Sequence, residues 1–119
     1  MRFSARQRLR RQADFEAVRA QGRRMECGGF AVYARVRPPE EGPREARLGV
    51  VASRHTGKAT VRNRAKRLFR EIFRLHMHDL PPYCDLVVIV RRRFQNYTFN
   101  QLEERYQKAA GQIFRAGRT

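Results

Sequence analysis

Residues 53–75 read SRHTGKATVRNRAKRLFREIFRL, and two kinds of side chain interleave in this stretch at helical spacing. Apolar residues fall at 61, 65, 68, 72 and 75, with Phe69 and Phe73 beside them. That is the period of an amphipathic helix. At about 100° per residue, Asn63, Lys66, Arg67, Arg70 and Arg74 gather on the face opposite the apolar stripe. Arg64 lies toward the flank carrying Glu71, and Arg62 borders the stripe. One face is built to be buried and the other to meet something strongly negative. A solvated, salt-bridged helix would carry acids at i±4 from its cations. Here Glu71, in reach of Arg67, is the only acid in the stretch. Most of the cations are arginines, whose planar fork of donors matches phosphate oxygens and also stacks on bases. Ahead of the helix, Thr56-Gly57-Lys58-Ala59-Thr60 leaves backbone N–H groups near the positive end of its dipole, an arrangement that favours an anion.

Working outward, the 119-residue chain fits one domain, 1–119, with one modest core. A hydrophobic fraction of 41% sets it apart from a disordered basic tail. A formal net charge of +16 repels itself in the compact state, which points to a polyanionic partner. Nucleic acid leads over a membrane surface, because no run approaches the ~18 apolar residues of a spanning helix. The start, MRFSARQRLRRQADF, lacks the apolar segment of a secretory signal, so the expected compartment is the cytoplasm. Cys27 and Cys84 form no CxxC and read as reduced thiols.

Residues 1–11 carry five arginines and no acid, and read as a flexible basic arm that becomes ordered near Leu9. A helix is expected over Gln12–Gln21, stopped by Gly22, with Asp14 and Glu16 at the positive end of its dipole. After a possible short strand near Arg23–Glu26, Phe30–Arg37 alternates as a strand. Phe30, Val32, Ala34 and Val36 take one face; Ala31, Tyr33, Arg35 and Arg37 take the other. A tyrosine among arginines suits single-stranded nucleic acid, where a stacked base gains about 1–3 kcal/mol. An ordinary strand residue is the plain alternative for Tyr33, and a core position is the plain alternative for Phe15. PPEEGPRE (38–45) is a turn by composition. Arg47–Ser53 is expected to be a strand pairing antiparallel with the first. The basic helix then runs to about Met77. DLVVIV (85–90) is apolar throughout, as for a strand buried on both faces, and a helical crossover predicts that it runs parallel to a preceding strand. Thr98-Phe99-Asn100-Gln101 fits a capping box opening a last helix to about Phe114, beyond which Arg115–Thr119 should fray. Phe99, Leu102, Tyr106, Ala109, Ala110, Ile113 and Phe114 form its buried side.

No catalytic constellation emerges from the residues. Asp14, Glu16, Glu40, Glu41, Glu45, Glu103 and Glu104 are scattered without metal-ligand spacing. His76-Met77-His78-Asp79 looks like a metal cluster, but i and i+2 on a helix point apart, and histidines at helix ends suit the dipole. Gly57-Lys58 lacks the upstream glycine of a phosphate-binding loop. The residues point to binding, with the chemistry supplied elsewhere.

The run from Ser53 through Thr56-Gly57-Lys58-Ala59, Val61-Arg62-Asn63-Arg64 and Lys66-Arg67-Leu68 resembles the signature of the bacterial ribonuclease P protein subunits. Agreement continues at Leu9, Asp14-Phe15, Val18, Gly22, Phe30, Tyr33 and Asp85–Arg91. The resemblance implies an α+β fold, an α/β sandwich of order α-β-β-β-α-β-α. It implies a left-handed β-α-β crossover, against the usual rule, and similarity to a ribosomal-protein domain. It implies a subunit of an endoribonuclease holoenzyme whose catalytic groups lie on its RNA and whose magnesium is bound mainly by that RNA. The partners it implies are the catalytic RNA, one per protein, and the 5′ leader of precursor tRNA. Carried over residue by residue, Lys58, Arg62, Asn63, Arg64, Lys66, Arg67 and Arg70 would face the catalytic RNA. Phe15, Tyr33, Ser53, Arg54 and His55 would line the leader cleft. Relatives often carry a second aromatic where this chain has Arg19, and Lys-Lys where it has Arg54-His55. The rival readings are a basic structural ribosomal protein without a processing role, and an autonomous metal nuclease.

Overall fold

A strand that is apolar on both faces is stable only with cover on both faces, and β4 (Cys84–Val90) has it. Its residues Cys84, Leu86, Val87 and Val88 are fully buried, and it is flanked by a strand on each side. The computed structural model describes residues 5–116, with helices α1 (Gln12–Gln21), α2 (Ala59–His76) and α3 (Phe99–Ala116). The other strands are β1 (Arg23–Glu26), β2 (Phe30–Val36) and β3 (Arg47–Val51). The α-β-β-β-α-β-α order and the α+β class hold. The four-stranded sheet runs β1-β2-β4-β3.

That order corrects one expectation. β2 and β3 do not pair with each other, because the doubly apolar β4 takes the place between them. It lies antiparallel to β2 and, as expected after a helical crossover, parallel to β3. Phe30, Val32, Ala34, Leu48, Leu86, Val88 and Val90 share one face of the sheet with Ala65, Phe69, Ile72 and Phe73 of α2 and Leu102, Tyr106, Ala109 and Ile113 of α3. Phe30 and Phe69 meet at 4.8 Å between ring centroids. A smaller cluster on the opposite face joins Leu9, Val18 and Val87, with Phe15, Tyr33, Val51 and Ile89 partly buried around it.

The capping box forms reciprocally. Thr98 N–H donates to Gln101 Oε1 at 2.9 Å, and Gln101 N–H donates to Thr98 Oγ1 at 3.2 Å. Gly22 stops α1 through close approach, not left-handed backbone: its φ is −83°, and a Cβ there would lie 2.4 Å from the Val18 carbonyl oxygen.

Other expectations are corrected. Residues 5–11 are not a free arm. Ala5–Gln7 form a 3-10 turn, Arg8 bridges to Leu48 beside β3, and Leu9 N–H donates to the Leu48 carbonyl at 3.0 Å. The apolar Leu9 ties this segment to the second cluster. Residues 1–4 of the expected arm, and 117–119 of the expected fraying tail, lie outside the described residues. The alternation of β2 fails at its end: Val36 is 56% exposed while Arg37 is 2% exposed. Arg37 is held inside by Asp85 of β4, at 2.6 Å, and Arg47 meets the same carboxylate through two bonds of 2.8 Å. Glu71 pairs with Arg74, not Arg67.

Candidate nucleic-acid interface

Strand register places the residues of the second sheet face in rows. Arg24 on β1 lies opposite Tyr33, Tyr33 opposite Val87, and Gly49 on β3 opposite Val87. The next row runs Glu26, Ala31, Ile89, Val51. Helix α1 covers part of this face by burying Val18 and laying the Phe15 ring on Gly49. A Cβ at Gly49 would stand 2.4 Å from that ring, so only glycine lets Phe15 seat against the sheet. Phe15 therefore sits over the row that holds Tyr33: Gly49 beneath the ring and Tyr33 flank Val87, two strand spacings or roughly 10 Å apart. Phe15 and Tyr33 are both half-buried, with part of each ring held by the protein and part open.

The guanidiniums of Arg19 and Arg24 lie over the Tyr33 ring, 5.7 and 5.8 Å from its centroid. Arg24 Nε also donates to the Tyr33 hydroxyl at 3.1 Å. Arg19 thus belongs to the same surface. An open groove beside them is lined by Glu16, Arg19, Ala20 and Tyr33.

Ser53, Arg54 and His55 follow β3 at the end of this face where the parallel strands β3 and β4 finish, and all three are exposed. The His55 N–H donates to Ser53 Oγ at 3.3 Å. Thr56 is 1% exposed and its hydroxyl donates to the Val90 carbonyl at 3.1 Å, pinning the loop to the end of β4. Sequence reading gave Thr56 no such role; an interior hydroxyl finds its acceptor only once the fold is known. Gly57 turns the chain with φ of 147°, a backbone conformation that favours glycine. Lys58 is the N-cap residue of α2, and no side chain caps that helix.

Along α2, Asn63, Arg64 and Arg67 are exposed; Arg62, Lys66 and Arg70 are half-buried. The Arg64 guanidinium lies 5.7 Å over the buried Phe94 ring. Arg62 Nε is enclosed without a hydrogen-bond partner. The Arg70 guanidinium holds its proton less firmly than usual, first because it is partly desolvated and then because Arg8 stands nearby. The pairing pattern separates two populations of cations. Arg24, Arg35, Arg37, Arg47, Arg74, Arg91 and Arg93 have carboxylate partners within 4.0 Å. Among the described residues, Arg54, Lys58, Arg62, Arg64, Lys66, Arg67 and Arg70 have none.

The structure thus brings Phe15 and Tyr33 to one floor, sets Ser53–His55 at its end, and carries the cations of α2 away from that end. No group of three or more His, Cys, Asp or Glu side chains able to hold a metal ion occurs among the described residues. His76 is occupied by Glu103 at 2.7 Å and Gln107 at 3.1 Å. No helix among the described residues is long and apolar enough to cross a membrane.

Arginines without carboxylate partners along most of α2, beside a sheet face that presents half-open aromatic rings, suit an RNA-binding α+β subunit. The family model described as Ribonuclease P matches residues 3–113. The ribonuclease P protein component of Desulfovibrio desulfuricans is 42% identical over 85 residues, 71% of this chain and 64% of that relative, so the match spans less than two thirds of its length. That of Dictyoglomus turgidum is 33% identical over 105 residues, 86% of this chain and 84% of the relative. The solved ribonuclease P protein of Thermotoga maritima superposes with a TM-score of 0.76 at 35% identity, covering 91% of this chain and 98% of that one. The chain belongs to the ribonuclease P protein family, subunits of the holoenzyme that processes tRNA 5′ ends, and its partner is the RNase P RNA.

Proposed function

We propose that the two surfaces divide the work of the holoenzyme. The face with Phe15, Tyr33, Ser53, Arg54 and His55 holds the single-stranded 5′ leader of precursor tRNA. The face with Lys58, Arg62, Asn63, Arg64, Lys66, Arg67 and Arg70 meets the catalytic RNA, one protein per RNA. The observation that carries this reading is the separation of the cations: among the described residues Arg54, Lys58, Arg62, Arg64, Lys66, Arg67 and Arg70 lack carboxylate partners, while Arg24, Arg35, Arg37 and Arg47 of the sheet, and Arg74 near the end of α2, are paired internally. A face of unpaired arginine repels itself until phosphates neutralise it, and release of the counterions they held adds to affinity. The leader gains stacking from the exposed parts of the Phe15 and Tyr33 rings.

The side chains of this chain bind and orient; they bring two polyanions together by screening their repulsion. Magnesium, which would polarise and neutralise the scissile phosphate, is held in this reading by the RNA, and the side chains of the protein take no part in breaking the bond. The cytoplasm is the compartment this reading assigns, and two free, buried thiols fit a reducing one.

Reconstitution tests it. The protein is added to a ribonuclease P RNA at low magnesium, and leader removal is followed on a leader-bearing precursor, with equilibrium binding of leader-bearing and leaderless tRNA in parallel. The expected result is faster cleavage together with a protein-dependent affinity gain confined to the leader-bearing substrate. An equal gain for leaderless tRNA would overturn the leader assignment.

A further inference from the structure

Three guanidiniums converge on Glu26. Arg24 Nη2 lies 2.6 Å from its carboxylate, Arg91 Nη2 3.2 Å and Arg93 Nη2 4.0 Å. Register puts this cluster on the leader face: Arg24 lies opposite Tyr33 and Glu26 opposite Ala31, which faces Ile89, and Arg91 follows Ile89 by one alternation. Glu26 is not what holds two of the arginines in place. Arg24 is anchored by its bond to the Tyr33 hydroxyl, and Arg93 Nε donates to the Gly28 carbonyl. The backbone beside Arg91 is fixed by its N–H donating to the Gly29 carbonyl at 2.9 Å. All four side chains reach solvent.

We infer that Arg24, Arg91 and Arg93 form a phosphate subsite on the RNA track, and that Glu26 occupies it in the free protein as a built-in competitor. A phosphodiester presents the same single negative charge and a pair of oxygens to the same donors. It makes charge-assisted bonds of the kind the carboxylate now makes. One carboxylate facing three guanidiniums leaves the cluster net positive, so a second anion is attracted before the first departs. Exposed ion pairs hold weakly, so the exchange is open to an incoming strand. Stacking on Tyr33 delivers the neighbouring phosphate, because Arg24 touches both the ring and Glu26. Glu26 therefore lowers the affinity of the track for single-stranded RNA, while the bonds to the Tyr33 hydroxyl and the Gly28 carbonyl keep Arg24 and Arg93 in place.

This rests on the reading of the sheet face as the RNA track, and the test separates the two. Binding of the full chain to a fluorescent single-stranded RNA of about ten nucleotides is measured by anisotropy across a salt series. Glu26→Gln and Glu26→Ala should each tighten binding about fivefold, the scale of an exposed ion pair. Each should also steepen the dependence of log K on log salt by about 0.7, one additional phosphate contact. Adding Arg24→Ala and Arg93→Ala to Glu26→Gln should remove both gains. Glu104→Gln, the same charge change on exposed α3, should leave binding unchanged. Unchanged or weaker binding in both Glu26 variants overturns the inference, as does a gain matched by Glu104→Gln or one that survives loss of the arginines. Tyr33→Ala reports separately on the track. If it leaves affinity unchanged while Glu26→Gln tightens binding, the subsite stands and the leader track falls; the converse pair of results does the reverse.

Discussion

Arg37 and Asp85 form an ion pair of 2.6 Å in which neither side chain reaches solvent, at 0% and 1% exposure. The pair ties the end of β2 to the central strand, and Arg47 closes it from β3 with bonds of 2.8 Å to each carboxylate oxygen. Burial weakens the hold of Arg37 on its proton, and Asp85 opposes that effect. The hydrogen bonds from Arg47 to Asp85 work the other way, holding the Arg47 proton more firmly. Arg37 also reaches the Pro43 and Glu45 carbonyls, which fastens the 38–45 turn to the sheet.

Removing the carboxylate leaves the buried Arg37 guanidinium with no negative charge beside it and Arg47 with only Asp14 at 3.8 Å. Asp85→Asn is expected to cost about 3–5 kcal/mol, the scale for breaking one side of a buried pair. Urea unfolding reads this directly; a loss below about 1 kcal/mol would show that Arg37 relaxes outward and that the pair is not a structural tie.

On α2, Arg62→Ala combined with Arg67→Ala should leave the fold intact, since neither side chain has a carboxylate partner to lose. The slope of log K against log salt for binding of the ribonuclease P RNA should become shallower by roughly 0.7–0.9 for each phosphate contact removed. The same slope in the double variant as in the parent would remove this helix from the interface.

At the leader face, Tyr33→Ala should weaken leader binding by about 1–3 kcal/mol through lost stacking. Tyr33→Phe keeps the ring and loses only the hydroxyl that positions Arg24. Its effect should therefore be smaller, and the order of the two variants is the check, read by competition binding with leader-bearing and leaderless tRNA.

Gly49→Ala drives a methyl group to 2.4 Å from the Phe15 ring, so the ring must lift off the sheet. The expected outcome is a loss of about 1–3 kcal/mol in stability from overpacking, together with weaker leader binding. A stable variant with unchanged leader affinity would show that the seating of Phe15 is immaterial.

The thiols make a prediction about pH. Burial, then Glu26, pushes Cys27 from 9.0 up to about 11, and burial also drives Cys84 and Tyr106 upward. Each group is raised in the folded state, so its neutral form supports the fold below the unfolded pKa, and that support is lost as pH rises through the folded value. Stability should therefore fall as pH climbs from about 9 toward 11, followed by thermal melts. At pH 8 neither cysteine should react with iodoacetamide until the chain unfolds; rapid labelling of the native protein would contradict the burial.

Much of this was legible because it was written in periodicity. The stripe of Val61, Ala65, Leu68 and Ile72 located the basic helix, and the unbroken DLVVIV run announced a strand covered on both faces. Its consequence, that this strand must separate β2 from β3, follows from the same run, yet adjacency in sequence argued for the wrong pair. Arg37 read as part of the polar strand face with Tyr33 and Arg35 because its partner is 48 residues away, and alternation carries no information across that distance. The candidate site divided in the same way. Arg62, Arg64 and Arg67 share a local pattern, whereas the meeting of Arg24, Glu26 and Arg91 depends on strand register. Leu9 was recognised as a point of order, but the fixing of Ala5–Arg8 beside β3 needed the fold.

The position of β4 also dictates when the sheet can exist. The strand that separates β2 from β3 is the last of the four to leave the ribosome, so a nascent chain that stops before Cys84 has its two larger strands with no neighbour between them and no complete sheet against which α2 can pack. Vectorial synthesis therefore yields an assembled sheet only when the central strand has emerged, and the pairing of β3 with β4 spans the whole intervening helix. Until then the apolar flanks of β2 and β3 stand open to other chains.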